Sequence, residues 1–263
     1  MTGADEITWV GHATVLFDIG GYRVITDPAL TRRVAHLRRR CPVPDRAVAD
    51  VDLVLLSHTH MDHLHLPSLH RVRPTAHIIT PDGSAPLLRA AGLSDITEVV
   101  VGDRIHRGPL TIEVVPAAHS PGRGPHSRIN AQPVGYVVDT GTRRLYFAGD
   151  TDLFPAMEDL AAIDVALLPI WGWGSTIGNG HLDPGRATEA SRLIRPQLVV
   201  PMHWGTYAPE DGRRRRPPWF DDPIESFQSE FGAAGELERL RIVEPGGVLL
   251  LGPPPDDEPL ERL

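Results

Sequence analysis

The chain has 263 residues, 26 basic and 34 acidic side chains for a net charge of −8, and 41% apolar residues. This length and apolar content build a core, which excludes intrinsic disorder, and the negative balance excludes a dedicated DNA or RNA binder, because those rely on a basic field. No apolar run reaches the roughly 20 residues that cross a bilayer, and the first six residues lack the basic and apolar parts of an export signal, so no transmembrane segment and a cytoplasmic location are expected.

In chain order, β-branched runs bounded by turn residues predict strands at Ile7–Val10, Thr14–Ile19, Tyr22–Thr26, Leu53–Leu56, His77–Ile79, Glu98–Val101 and Thr111–Val115. Val134–Asp139 and Arg144–Phe147 flank a glycine-bearing polar turn and read as a hairpin, and Val165–Ile170, Leu198–Pro201 and Val248–Leu251 read as further buried strands. Helical patterns lie at Ser84–Ala91, Met157–Ala162, Pro184–Ile194 and Pro223–Ala234, with Asp183 placed to cap the third. Strands with interleaved amphipathic helices imply sheets covered by helices, a layered α/β arrangement. No fixed-period repeat divides the chain, so one domain over 1–263 is the simplest account. A single cysteine, Cys41, permits no intramolecular disulfide, in keeping with a reducing compartment.

The densest chemical signal is Ser57-His58-Thr59-His60-Met61-Asp62-His63, directly after the apolar strand that ends at Leu56. In extended chain, residues two apart face the same side, so His58 and His60 can point at one ion, while Asp62 and His63 fall on the following turn. Three more candidates stand where an apolar strand runs into a loop: His119, Asp150 after Gly149, and His203. Each alone is compatible with a capped turn or a buried structural histidine. Together they are the donor set of a metal site, without thiolate, which suits zinc first and manganese or iron next.

The segment His58-x-His60-x-Asp62-His63 resembles the signature of the metallo-β-lactamase superfamily. The later motifs follow in order, with His119 after a strand, Gly149-Asp150-Thr151, and Pro201-Met202-His203-Trp204, preceded by Asp27 in Thr26-Asp27-Pro28. The resemblance spans about residues 7 to 250 and implies a four-layer αββα sandwich with two divalent cations at the edge of its sheets. It assigns His58, His60 and His119 to a first metal, Asp62, His63 and His203 to a second, and Asp150 to the bridge. Asp27 would hold the histidine loop from behind, or serve only as an Asp-Pro turn.

Ile7-Thr8-Trp9-Val10-Gly11-His12-Ala13-Thr14 looks like the start of the branch that contains ascorbate-6-phosphate lactonase and N-acyl-phosphatidylethanolamine phospholipase D. By that likeness His181 in Gly180-His181-Leu182-Asp183-Pro184 either contacts the leaving group or caps the next helix, and His12 either faces the pocket or is a core histidine. The implied activity is metal-dependent hydrolysis of an ester, lactone or phosphodiester in a small anionic or lipid-like substrate, with Asp62 and His181 as catalytic residues. A nucleotide or RNA phosphodiesterase, and a non-catalytic metal or ligand sensor on the same fold, are the alternatives.

Substrate signals are thinner. Arg123 and Arg128 follow His119 in a Gly/Pro-rich loop and either grip an anionic group or stand in solvent. Trp171 and Trp173 are either pocket wall or core. Arg213–Arg216 beside Pro217-Pro218-Trp219-Phe220 could touch an anionic membrane surface, though such runs are commonly solvated loops, as is Arg38–Arg40. A homo-oligomer is compatible with the sequence.

Overall fold

The computed structural model describes residues 5–48, 50–72, 76–124, 127–210 and 217–253. The run Arg213–Arg216 lies outside the described residues. Two large sheets face each other. The first has seven strands in the order β16 (Val248–Leu250), β1 (Glu6–Gly11), β2 (Thr14–Ile19), β3 (Tyr22–Thr26), β6 (Leu53–Leu55), β7 (His77–Pro81) and β8 (Ile96–Val99). The second has six, in the order β14 (Leu198–Met202), β13 (Val165–Pro169), β12 (Arg144–Phe147), β11 (Val134–Asp139), β10 (Leu110–Pro116) and β9 (Arg104–Arg107). A small third sheet joins β15 (Tyr207–Pro209) to the hairpin β5 (Leu37–Arg39) and β4 (Arg33–Val34).

The layering follows from side-chain alternation. In the first sheet Val15, Phe17, Val24, Leu53, Leu55 and Ile79 point inward to the central core shared with the second sheet. The residues between them, Leu16, Ile25, Val54 and Ile78, point outward and pack with Leu69 of α1 (Leu66–Leu69) and Leu88 of α2 (Ala85–Ala90). Strands apolar on both faces read as continuous runs because both faces are covered. On the far side of the second sheet, α3 (Pro184–Ile194) and α4 (Asp222–Ala233) contribute Ala187, Ala190, Ile194, Phe227 and Phe231 to the same core as Val165 and Val199. The result is the four-layer αββα sandwich.

Two elements differ from the sequence expectation. The strand expected over Glu98–Val101 ends at Val99, because the Asp103 carboxylate accepts the Val100 N–H at 2.8 Å and turns the chain, leaving Val100 and Val101 exposed. The helix expected at Met157–Ala162 is a single 3₁₀ turn over Pro155–Asp159, with Met157 as its buried anchor. Strands β4, β5, β9 and β15 were not expected at all. They are two to four residues long, too short for an apolar period to show.

In both sheets the strands that deliver candidate ligands end on one edge. β3 ends before Asp27, β6 before His58, β10 before His119, β12 before Asp150 and β14 before His203. The edge is pinned across the sandwich by Val134 N–H donating to Ser57 O at 2.9 Å.

Candidate metal centre

Ser57–His63 is an extended segment that becomes a turn, and its shape is held from behind by Asp27. That buried carboxylate accepts the Ser57 N–H at 2.7 Å, the Ser57 hydroxyl, and the Nδ1–H of His63 at 2.7 Å. Asp27 therefore organises the loop and is more than a turn residue. Arg123 clamps the same loop from the outside, donating to Thr59 O at 2.7 Å and Leu64 O at 3.1 Å. It is neither a solvated arginine nor a free anion anchor. Arg128 stands exposed on its loop and outside the cavity wall.

The outward nitrogen of His58, His63, His119 and His203 is committed to a fixed partner, which orients each ring. His119 Nδ1 donates to Gly180 O at 2.6 Å and His203 Nδ1 to Trp171 O at 2.7 Å. His58 Nδ1 lies 2.9 Å from Ser57 Oγ, whose own proton goes to Asp27. The lone pairs at His58 Nε2 and His119 Nε2 therefore converge on His60 Nδ1, at 3.0 and 3.1 Å. One proton at His60 could serve only one of them. A cation satisfies all three.

The second cluster is built the same way. His63 Nε2 and His203 Nε2 lie 3.3 Å apart, and Asp150 presents Oδ2 to the first at 3.2 Å and Oδ1 to the second at 3.1 Å. Because His203 carries its proton on the other nitrogen, Asp150 Oδ1 is buried without a hydrogen-bond donor. Asp62 Oδ2 stands 3.8 Å from His63 Nε2. The orphaned carboxylate oxygen and the facing lone pairs fit a divalent cation at each cluster, with His58, His60 and His119 as one donor set, Asp62, His63 and His203 as the other, and Asp150 reaching toward the second cluster and within ligand distance of His119.

Burial sets the protonation states. It pushes His58 well below the usual imidazole range, His60 down to about 4 and His203 down to about 3. Burial pulls on His63 as well, but Asp150 and Asp62 outweigh it and hold its proton well above the usual range. Against burial, His203 and His63 keep Asp150 ionised, and His63 and His12 keep Asp62 ionised, both well below the carboxylate range. Neutral imidazoles and ionised carboxylates are the forms that bind metal.

His12 sits against this centre. Its Nε2–H donates to Asp62 Oδ2 at 3.0 Å, its ring lies 3.9 Å from that of His203, and its carbonyl accepts the His203 N–H at 3.0 Å. Its backbone is left-handed at φ 57, as is that of His203 at φ 65, a conformation that non-glycine residues hold only when their surroundings impose it. His181 does not cap α3, because the Asp183 side chain accepts the Arg186 N–H at 2.8 Å. Instead His181 lines the cavity over the centre, with Nε2 3.5 Å from Asp150 Oδ2. That contact raises its pKa above the usual value despite burial.

The sequence reading missed the far wall of this cavity, which is made of Val34, Ala35, His36 and Leu37 with Met61 and Trp173. Val34 to Leu37 form a two-residue hairpin between arginines, without a chemical motif to mark it. Trp173 belongs to this wall, whereas Trp171 packs against the central core.

Residues 22–204 match the family described as the beta-lactamase superfamily domain, and the chain belongs to that family. The matched stretch runs from β3 to the residue after His203. The chain is 35% identical over 246 residues to a UPF0173 metal-dependent hydrolase of Methanopyrus kandleri, covering 92% of this chain and 97% of the relative. It is 30% identical to the N-acyl-phosphatidylethanolamine-hydrolyzing phospholipase D 1 of Caenorhabditis elegans over 76% of this chain and 64% of that protein. Among solved structures, Igni18, a metallo hydrolase from the archaeon Ignicoccus hospitalis, superposes with a TM-score of 0.69 at 25% identity, covering 95% of this chain and 99% of that one. Among the described residues no helix is long and apolar enough to cross a membrane.

Proposed function

We propose that this chain is a metal-dependent hydrolase that uses two divalent cations, zinc first, to cleave an ester, lactone or phosphodiester bond in a small substrate. One observation carries the reading. Five imidazoles, four of them oriented by a hydrogen bond at the outward nitrogen, and two ionised carboxylates converge beneath an open cavity, where a purely structural core would place apolar side chains. The metal-dependent hydrolases among its relatives point the same way.

When bound, the cations would supply the acidity that lowers the pKa of water toward about 7 and the positive charge that offsets a developing oxyanion. The residues of the chain do the rest. Asp150, beside His63 and His203 and within 4.8 Å of His119, would hold both cations. Asp62, open to the cavity, orients the attacking water by accepting its hydrogen bond. His181, whose pKa is raised by Asp150, holds a proton at the cavity side and delivers it to the departing oxygen.

The test is metal analysis of protein purified without a histidine tag or chelator, followed by an ester, lactone and phosphodiester screen. About two equivalents of metal with turnover that stops on chelation supports the reading. Folded protein that takes up no metal even when zinc is added sinks it.

A further inference from the structure

The cavity over the centre holds about 420 Å³, room for a small molecule or one arm of a larger one. Its two sides differ in chemistry. The floor is polar, with His60, Asp62, Asp150 and His181, whereas Val34, Leu37, Met61 and Trp173 form an apolar outer wall. The hairpin sorts its own side chains: Val34 pairs with Leu37 and Arg33 with Arg38, so the apolar pair faces the cavity and the basic pair lies one step along. Arg33 and Arg38 both reach Glu210, at 2.7 and 3.5 Å.

Among the described residues, Arg33, Arg38, Arg39 and Arg123 are engaged, and Arg32 is exposed outside the cavity lining. Arg39 is buried, donates to the carbonyls of Val10 and Ala29, and lies 5.5 Å from the Tyr207 ring centroid, which anchors the hairpin to the body of the protein. Arg123, the arginine in the cavity wall, is committed to Thr59 O and Leu64 O. Among the described residues, then, the wall offers no guanidinium to a charged group held away from the floor. It does offer Met61, an unbranched side chain 48% exposed between two candidate ligands, and the Trp173 ring, propped edge-on by His36 at 5.0 Å. With Val34 and Leu37 they form the apolar side of a concave cavity whose polar groups gather at the floor, the usual form of a small-molecule site.

Resting on the hydrolase reading, we infer that the substrate carries an uncharged apolar arm next to its scissile bond, seated against Leu37, Met61 and Trp173 while the bond itself lies at Asp62 and Asp150. The hairpin is pre-formed, being bonded to β15 through the Tyr207–Arg39 and Pro209–Leu37 pairs, so the arm enters a standing groove.

Zinc-loaded protein is assayed on p-nitrophenyl acetate, butyrate and hexanoate and on p-nitrophenyl hemisuccinate, whose arm ends in a carboxylate. Binding of the uncharged dye N-phenyl-1-naphthylamine is followed separately by fluorescence. The expected kcat/KM climbs about fourfold per added methylene until the groove is full, and the hemisuccinate falls about tenfold or more below butyrate. The dye binds and hexanol displaces it. Met61→Gln, at an exposed position outside the core, flattens the chain-length series and weakens dye binding, and Leu37→Ser does so as well while also loosening the buried cluster it forms with Ala29, Val34 and Tyr207. A flat series in the parent protein, a preference for the hemisuccinate, or dye binding unchanged in both variants overturns the inference. If no ester is turned over, the hydrolase reading fails on esters while the dye still decides the groove: binding weakened by Met61→Gln upholds the apolar arm, and no binding overturns it.

Discussion

At the scale of single residues, the centre is held by groups that touch no substrate. His12 bonds Asp62 through its ring and His203 through its carbonyl, so it ties together two candidate ligands that lie far apart in the chain. His12→Asn keeps a residue that tolerates left-handed backbone but removes the imidazole. The expected outcome is a second cation equivalent bound about tenfold to a hundredfold more weakly with the first little changed, read by zinc titration against a competing chelator. Equal affinity for both equivalents would return His12 to a packing role.

Protonation gives a second residue-scale test. His60 and His203 are uncharged at neutral pH, each keeping one N–H, held down to about 4 and about 3. His63, raised well above 6.5, still holds a proton that a cation must displace. Metal uptake therefore releases about one proton near neutral pH, and apparent affinity weakens about tenfold per unit as pH falls below the raised pKa of His63. Calorimetry in buffers of different ionisation enthalpy measures that proton. Uptake without proton release would mean that His63 is not a ligand.

Among the elements, the turn after β12 tolerates no side chain. Gly149 has φ +62, and a Cβ there would lie 2.5 Å from Ser57 Cβ and 2.8 Å from Ser57 Oγ, the side chain that Asp27 fixes. Gly149→Ala is therefore expected to cost about 1–3 kcal/mol in denaturant unfolding and to lower metal affinity at the same time, since Asp150 is the next residue. Loss of stability with metal affinity intact would show that the strain relaxes away from Asp150. The glycine is thus required by a close approach between the two sheets at the edge where they meet.

Over the whole molecule, the ligands come from both sheets of the sandwich, so a bound cation joins halves that the core alone must otherwise hold together. Binding to the folded state only should stabilise by about 2.7 kcal/mol at a free zinc concentration one hundred times Kd. For a chain of this size that raises Tm by roughly 5–10 °C, and chelation reverses it. Thermal melts with zinc and with a chelator make the comparison. No shift in Tm would mean that the folded chain binds zinc no better than the unfolded one, against a site assembled by the fold.

The sequence alone determined the class of chemistry. A His-x-His-x-Asp-His run after an apolar strand, with His119, Asp150 and His203 each at a strand end, is legible because metal ligation demands fixed residue types at fixed spacing. Apolar strand runs with interleaved helices indicated a layered α/β arrangement, and the resemblance carried by the metal motifs implied the four-layer sandwich. Only the tertiary structure decided which neighbours hold the ligands and what the substrate meets. Arg123 and Arg128 read alike in the chain, yet one clamps the ligand loop and the other is exposed. His181 and Asp183 competed for the helix cap, and geometry gave it to Asp183. The apolar wall at Val34, Leu37 and Trp173 joins segments more than a hundred residues apart, and no local period encodes a contact made across the fold.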